Sequence, residues 1–160
     1  QKKNEYLWKN LQKDGLETKW YENGKKKYEV SLKNGIREGV ETYWYYNGRK
    51  ETETPYKNGI REGVVKSWHK LGLKKLEWNY KNGKQEGLST MWWENGTKRV
   101  ESHWKNGIRE GVVKQWYSSG RKKFLRHYKN GKENGLRKEW DENGTLTYEG
   151  NYIDGVEEIK

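Results

Sequence analysis

The chain of 160 residues has no cysteine, one proline (Pro55), one methionine and one phenylalanine. Without cysteine there is no disulfide and no thiolate metal site. One proline leaves the backbone almost free to donate hydrogen bonds throughout. No apolar run approaches the roughly 20 residues of a membrane-spanning helix. No signal-peptide pattern is present, and the sequence opens on Gln1 rather than Met, which suggests a processed or trimmed product. Acidic residues are the minority: 34 Lys and Arg stand against 23 Asp and Glu, for a net charge of +11. Only 30% of residues are hydrophobic, a value that alone would point to disorder.

Aromatic residues argue the other way. There are 10 Trp and 12 Tyr, and such rings demand burial or a partner. The expected core is therefore aromatic and thin. The glycines are ordered too. They fall at 15, 39, 63, 87, 111 and 135, again at 24, 48, 72, 96, 120 and 144, and again at 35, 59, 83, 107, 131 and 155, so a 24-residue period places 18 of 19. The octapeptide KNGIREGV recurs at 33–40, 57–64 and 105–112 in the same phase. A fixed period of this length is the mark of a repeat architecture. Six units follow: 15–38, 39–62, 63–86, 87–110, 111–134 and 135–158, after a partial repeat over 1–14.

Trp20, Trp44, Trp68, Trp92, Trp116 and Trp140 fill one column, and Leu16, Val40, Val64, Leu88, Val112 and Leu136 another. Leu32, Tyr56, Tyr80, Trp104, Tyr128 and Tyr152 make a third, with Trp8 one step earlier. Each unit reads as two strands, near 40–46 and 49–57 in the second, joined by Asn-Gly turns at 47–48 and 58–59. Residues two apart share a face, so Val40, Thr42 and Trp44 go together, as do Thr52, Thr54 and Tyr56. Glycines at this density disfavour a helix, at about 1 kcal/mol each. The expected fold is all-β: an elongated antiparallel sheet or solenoid of six stacked hairpin repeats, with the Trp and Tyr columns as a common spine.

The segments WYENGKKKYEVSLKNGIREG (20–39) and WDENGTLTYEGNYIDG (140–155) resemble MORN repeats, and more closely the bacterial variant of them. Tyr148-Glu149-Gly150-Asn151-Tyr152 is nearest the usual signature. Elsewhere Val30, Thr54, Trp78, Ser102 and Arg126 stand in place of the inner glycine. The resemblance implies rows of hairpins, no catalysis, and roles in scaffolding, membrane-lipid association or antitoxin-like and immunity-like binding. Cell-wall choline- or glucan-binding repeats share the Trp/Tyr/Gly hairpin but lack the K-N-G-x-x-x-G block.

Two basic columns stand out: Lys26, Lys50, Lys74, Lys98 and Lys122, and Lys9, Lys33, Lys57, Lys81, Lys105 and Lys129. They are either a solvated face or a ridge for a polyanion. The Glu columns (Glu29, Glu53, Glu77, Glu101 and Glu149; Glu38, Glu62, Glu86 and Glu110) should absorb part of the charge through ion pairs, and a nucleic-acid partner is not expected. Tyr45, Tyr46, Trp93 and Tyr117 follow the Trp column and should point away from it, exposed as contact area. The candidate binding surface is Lys26, Lys50, Lys74, Lys98 and Lys122 with Tyr45, Trp93 and Tyr117. His69, His103 and His127 are the only histidines, and a residue repeated in register is architectural rather than catalytic. No enzyme, metal or cofactor is expected. The partner would be a protein such as a toxin or scaffold, or alternatively an anionic lipid, cell-envelope polymer or glycan, with cytoplasmic and exported locations both open.

Overall fold

The computed structural model describes residues 4–9 and 12–159, with side chains from Lys13 onward. The side chains of Trp8 and Lys9, and most of the partial repeat over 1–14, lie outside that description. The chain divides into two compact units, residues 1–83 and 84–160. The first contains β1 (Asn4–Lys9), β2 (Gln12–Trp20), β3 (Lys26–Lys33), β4 (Ile36–Arg37), β5 (Gly39–Trp44), β6 (Lys50–Lys57), β7 (Ile60–Arg61), β8 (Gly63–Trp68) and β9 (Lys74–Lys81). The second contains β10 (Lys84–Trp92), β11 (Lys98–Lys105), β12 (Ile108–Arg109), β13 (Gly111–Trp116), β14 (Lys122–Lys129), β15 (Lys132–Trp140), β16 (Leu146–Ile153) and β17 (Val156–Glu157). Every described pairing is antiparallel, between neighbours in the chain or, for β3–β5, β6–β8 and β11–β13, across one short strand, and no helix occurs among the described residues.

The two Asn-Gly sites of a repeat make different turns. At 58–59, Lys57 pairs directly with Ile60, Asn58 has φ 50° and Gly59 φ 78°. Positive φ at both central residues is the tight two-residue hairpin that suits strand twist. It adds the short strands β4, β7, β12 and β17, which the sequence did not suggest. At 47–48 only Gly48 is left-handed, with φ 89°. Its amide donates to the Tyr45 carbonyl at 2.8 Å, and the Tyr45 amide to the Arg49 carbonyl at 2.9 Å, a longer loop with a bulge. Asn47 serves here through its side chain, its Oδ1 accepting from the Arg49 amide at 3.0 Å.

Register and alternation assign the faces in each unit. Glu41 pairs with Thr54, and Tyr43 with both Thr52 and Tyr28; these line one face with Val30 and Tyr56. Val40 pairs with Pro55, and Thr42 with both Glu53 and Glu29; these line the other with Leu16 and Trp44. The Trp and Tyr columns are thus on opposite faces rather than in one spine. The Trp side chains are half-buried. The apolar residues that are buried are Tyr28, Val30, Tyr56 and Val113, all on the face opposite the Trp column; Tyr56 belongs to a repeating column of that face, whereas the positions of Val30 and Val113 change from repeat to repeat. The aliphatic column is exposed from Leu16 to Leu88, at 38% to 49%, and half-buried at Val112 and Leu136.

Candidate functional site

Five letters of KNGIREGV, the first N and G and then I, R and E, link a repeat to its neighbour. The amide of Asn58 donates to the Glu38 carboxylate at 2.6 Å, as Asn82 does to Glu62, Asn106 to Glu86 and Asn130 to Glu110, at 2.6 to 2.9 Å. Gly59 donates its amide to the Arg37 carbonyl at 2.8 Å. A Cβ on Gly59 would lie 2.9 Å from the Ile36 Cγ2, so that isoleucine packs on the following turn. The Arg37 guanidinium covers the Tyr56 ring at 5.2 Å, and Arg61 covers Tyr80 at 5.4 Å. The Glu38 column was expected in ion pairs; it instead holds turn amides one repeat ahead, while Arg37 pairs with Glu41 at 3.2 Å.

The expected binding columns are likewise drawn into the scaffold. Lys26 and Lys50 pair with Glu29 and Glu53, Lys74 with Glu77 at 2.7 Å and Lys98 with Glu101 at 2.7 Å. Lys122, beside Leu125 instead of a glutamate, has no carboxylate ion pair among the described residues. The ammonium of Lys26 lies over the Trp44 ring at 5.6 Å, Lys98 over Trp116 at 6.0 Å and Lys122 over Trp140 at 5.7 Å. A lysine of one repeat therefore covers the indole of the next. Hydrogen bonding from Lys98, outweighing the cost of burial, holds the Glu101 carboxyl below its ordinary range.

Tyr45, Trp93 and Tyr117 are half-buried, not exposed. Tyr45 donates its hydroxyl to the Trp68 carbonyl at 2.7 Å, Trp93 its indole N–H to the Trp116 carbonyl at 3.1 Å, and Tyr117 its hydroxyl to the Trp140 carbonyl at 2.9 Å. Tyr46 is exposed as expected, at 59%. Asn47 and Asn95 reach forward in the same way, to the carbonyls of Lys70 at 3.0 Å and Ser118 at 2.7 Å. The shared 23-residue reach is visible in the sequence once the column after Trp is read as donors.

Two polar clusters lie on the face opposite the Trp column. In the first unit the buried Glu41 carboxylate accepts from the Tyr28 hydroxyl at 3.1 Å and pairs with Arg37, which donates to the Tyr56 hydroxyl at 3.3 Å. Burial, then the Glu41 charge, pushes the Tyr28 phenol well above its ordinary range. The Tyr43 ring packs on Tyr28 at 4.8 Å. In the second unit Arg126 and Arg137 share the carboxylates of Glu133 and Glu139 at 2.7 to 3.4 Å. Burial opposes ionisation of Glu139, but hydrogen bonds from Arg137 and Arg126 prevail and keep its carboxyl below the usual range. Arg137 also covers the Tyr148 and Tyr152 rings at 5.1 and 5.3 Å. A recess of about 510 Å³ opens beside this cluster, lined in part by Gln115, Phe124, Arg126 and Glu139.

His103 and His127 direct Nδ1 toward the carbonyls of Val112 and Leu136, at 3.5 and 2.7 Å. No group of three or more metal-ligating side chains occurs among the described residues. No described helix is long and apolar enough to cross a membrane.

The MORN repeat variant profile matches residues 13–34, 37–58, 85–106, 109–130 and 133–154. The chain belongs to the MORN repeat variant family. The profile passes over the stretch around His69 and Leu71, yet the hairpin of this MORN repeat protein persists there: β8 pairs with β9 in the register of the other repeats. Its family comprises, in general, modules that bind proteins or membranes and are not enzymes. No curated protein matches the chain.

Proposed function

We propose that this chain is a non-catalytic module for binding a protein partner, of the antitoxin or immunity-like kind, through the non-repeating face. The observation that supports this most is the division of labour between faces. The columns that repeat hold repeats together, whereas the opposite face, beside its own repeating Tyr56 column, carries positions that differ at every step: Lys19, Tyr43 and Ser67 occupy one column in the first unit, and Met91, Gln115 and Glu139 occupy the same repeat position in the second. Tyrosine, tryptophan and arginine dominate its larger side chains, the types enriched in protein interfaces. We place the contact surface here rather than on the Lys26 column, whose amines are already engaged.

The test uses the full chain as bait for a stoichiometric partner, followed by binding of the purified pair. Tyr43→Ala removes a ring that is 39% exposed, and Gln115→Arg fills the recess. Each should weaken binding at least tenfold while the far-ultraviolet spectrum shows the β-fold retained. Recovery of no stoichiometric protein, or a pair indifferent to both changes, counts against the reading. The anionic-lipid and cell-envelope alternative falls to the second basic column, Lys33, Lys57 and Lys81, and a salt-sensitive affinity for phosphatidylserine vesicles would favour it.

A further inference from the structure

The repeating face holds a second feature that the lattice does not use. In the first unit Lys33, Lys57 and Lys81 are exposed and make no ion pair, hydrogen bond or ring contact among the described residues. Lys33 pairs with Ile36, and Lys57 with Ile60, so these two ammonium groups each share a face with an isoleucine that is 51% exposed, whereas Lys81 is followed by Lys84 at the equivalent position. Two residues along from Lys57, Pro55 pairs with Val40, 49% exposed, and the next repeat offers Val64 at 38%. A free cationic row therefore runs beside an open aliphatic row.

Both rows advance by one repeat at a time, which is two strand spacings, or about 9.5 Å. Seven residues of α-helix rise about 10.5 Å. Over the two intervals from Lys33 to Lys81 the mismatch is only about 2 Å, within the reach of a flexible lysine stem. An extended strand does not match. Its same-face residues recur every ~6.6 Å, and the third residue, at about 10 Å, points to the wrong side. A polyproline helix matches in pitch, at about 9.3 Å, and can lay two of its three residues per turn on a surface. An amphipathic helix offers a broader apolar stripe, three to four residues per two turns, beside its acidic row.

We infer that this face of the first unit docks an α-helix of a partner protein, lying across the strands, with a carboxylate at one heptad position and aliphatic residues on the adjoining stripe. The helix runs along the repeat direction. Its carboxylates meet Lys33, Lys57 and Lys81 in turn, and its aliphatic side chains cover Ile36, Ile60, Val40 and Val64. The site lies on the face opposite the proposed partner surface, so either can fail without the other.

The experiment measures binding of the full chain to labelled synthetic peptides of four heptads by fluorescence anisotropy. One peptide carries Glu at a single heptad position beside a Leu stripe. A second has the same composition with the acidic period broken to five residues, and a third is an acidic proline-rich peptide. The expected result is at least tenfold tighter binding of the heptad peptide than of either control. That preference should disappear in the triple variant Lys33→Glu, Lys57→Glu, Lys81→Glu, whose far-ultraviolet spectrum and melting temperature check folding. Val40→Ser with Val64→Ser, which leaves the charge row intact, should weaken binding by a smaller factor. Equal binding of all three peptides, preference for the proline-rich one, or a heptad preference that survives charge reversal would overturn the inference. So would tight binding to phosphatidylserine vesicles with no measurable affinity for the heptad peptide.

Discussion

The two faces of each unit obey different rules. On one, the same residue types return every 24 positions: an aliphatic, a tryptophan, a lysine with its glutamate. On the other, beside the repeating column of Tyr56, Tyr80 and Tyr128, most positions change, yet that face holds Val30 and Val113 at 1% and 3% exposure while Val40, in an always-aliphatic column, stays half open. Repetition in this protein does not mark burial. It marks positions whose partner is the neighbouring repeat, because a contact made across a fixed translation needs the same chemistry at both ends. The non-repeating face is free of that requirement and can carry local clusters, such as Tyr28 with Glu41 and Arg37.

The sharpest way to break this comparison is at the turn where the faces are locked in step. Gly59→Val must place a β-branched residue at φ 78° against the Ile36 methyl, and should cost about 3 kcal/mol by denaturant unfolding. Gly24→Val, at φ 79° with nothing within 4 Å, should cost clearly less. Equal losses would mean that Ile36 does not couple the repeats. Next, Val30→Ala should lower stability by about 2 kcal/mol, against under about 0.5 for Val40→Ala. A reversed order would contradict the face assignment. Smaller still, Tyr45→Phe removes the donor to the Trp68 carbonyl and should cost about 1 kcal/mol, while Tyr46→Phe should be neutral.

The period, the all-β class and the hairpins were legible because Asn-Gly and the three glycine columns are local signals. The pairing of faces was not, for a geometric reason. Ladder sums slip between Tyr43 and Trp44, and again between the Leu32–Arg37 and Tyr28–Tyr43 pairs. Such bulges are silent in a period-two reading. The purpose of the basic column was hidden differently. Lys26 and Glu29 lie on one strand only three residues apart, a spacing that reads as opposite faces in a regular strand, and the short strands β4 and β7 needed the left-handed Asn34 and Asn58 to be recognised. Lys26, Tyr45, Trp93 and Tyr117 stand at regular positions beside the Trp column, and regularity is the property that the lattice uses.

The smallest expected effect concerns pH. The folded Glu101 carboxyl titrates below its unfolded value, so its stabilising contribution is complete above the ordinary glutamate range and is lost as pH falls through the lower, folded value. Glu101→Gln should therefore cost about 0.5 kcal/mol at neutral pH and nothing in acid. A penalty that persists at low pH would assign the loss to packing instead of charge.

The central claim is that each repeat is held by the one before it. Native-state hydrogen exchange on Glu62→Ala tests this most directly, because the Glu62 carboxylate accepts the amide of Asn82, not that of its own repeat's turn at Asn58. The account predicts at least tenfold faster exchange at Asn82 with Asn58 unchanged. Unaltered exchange at Asn82, or faster exchange at Asn58 alone, would contradict it.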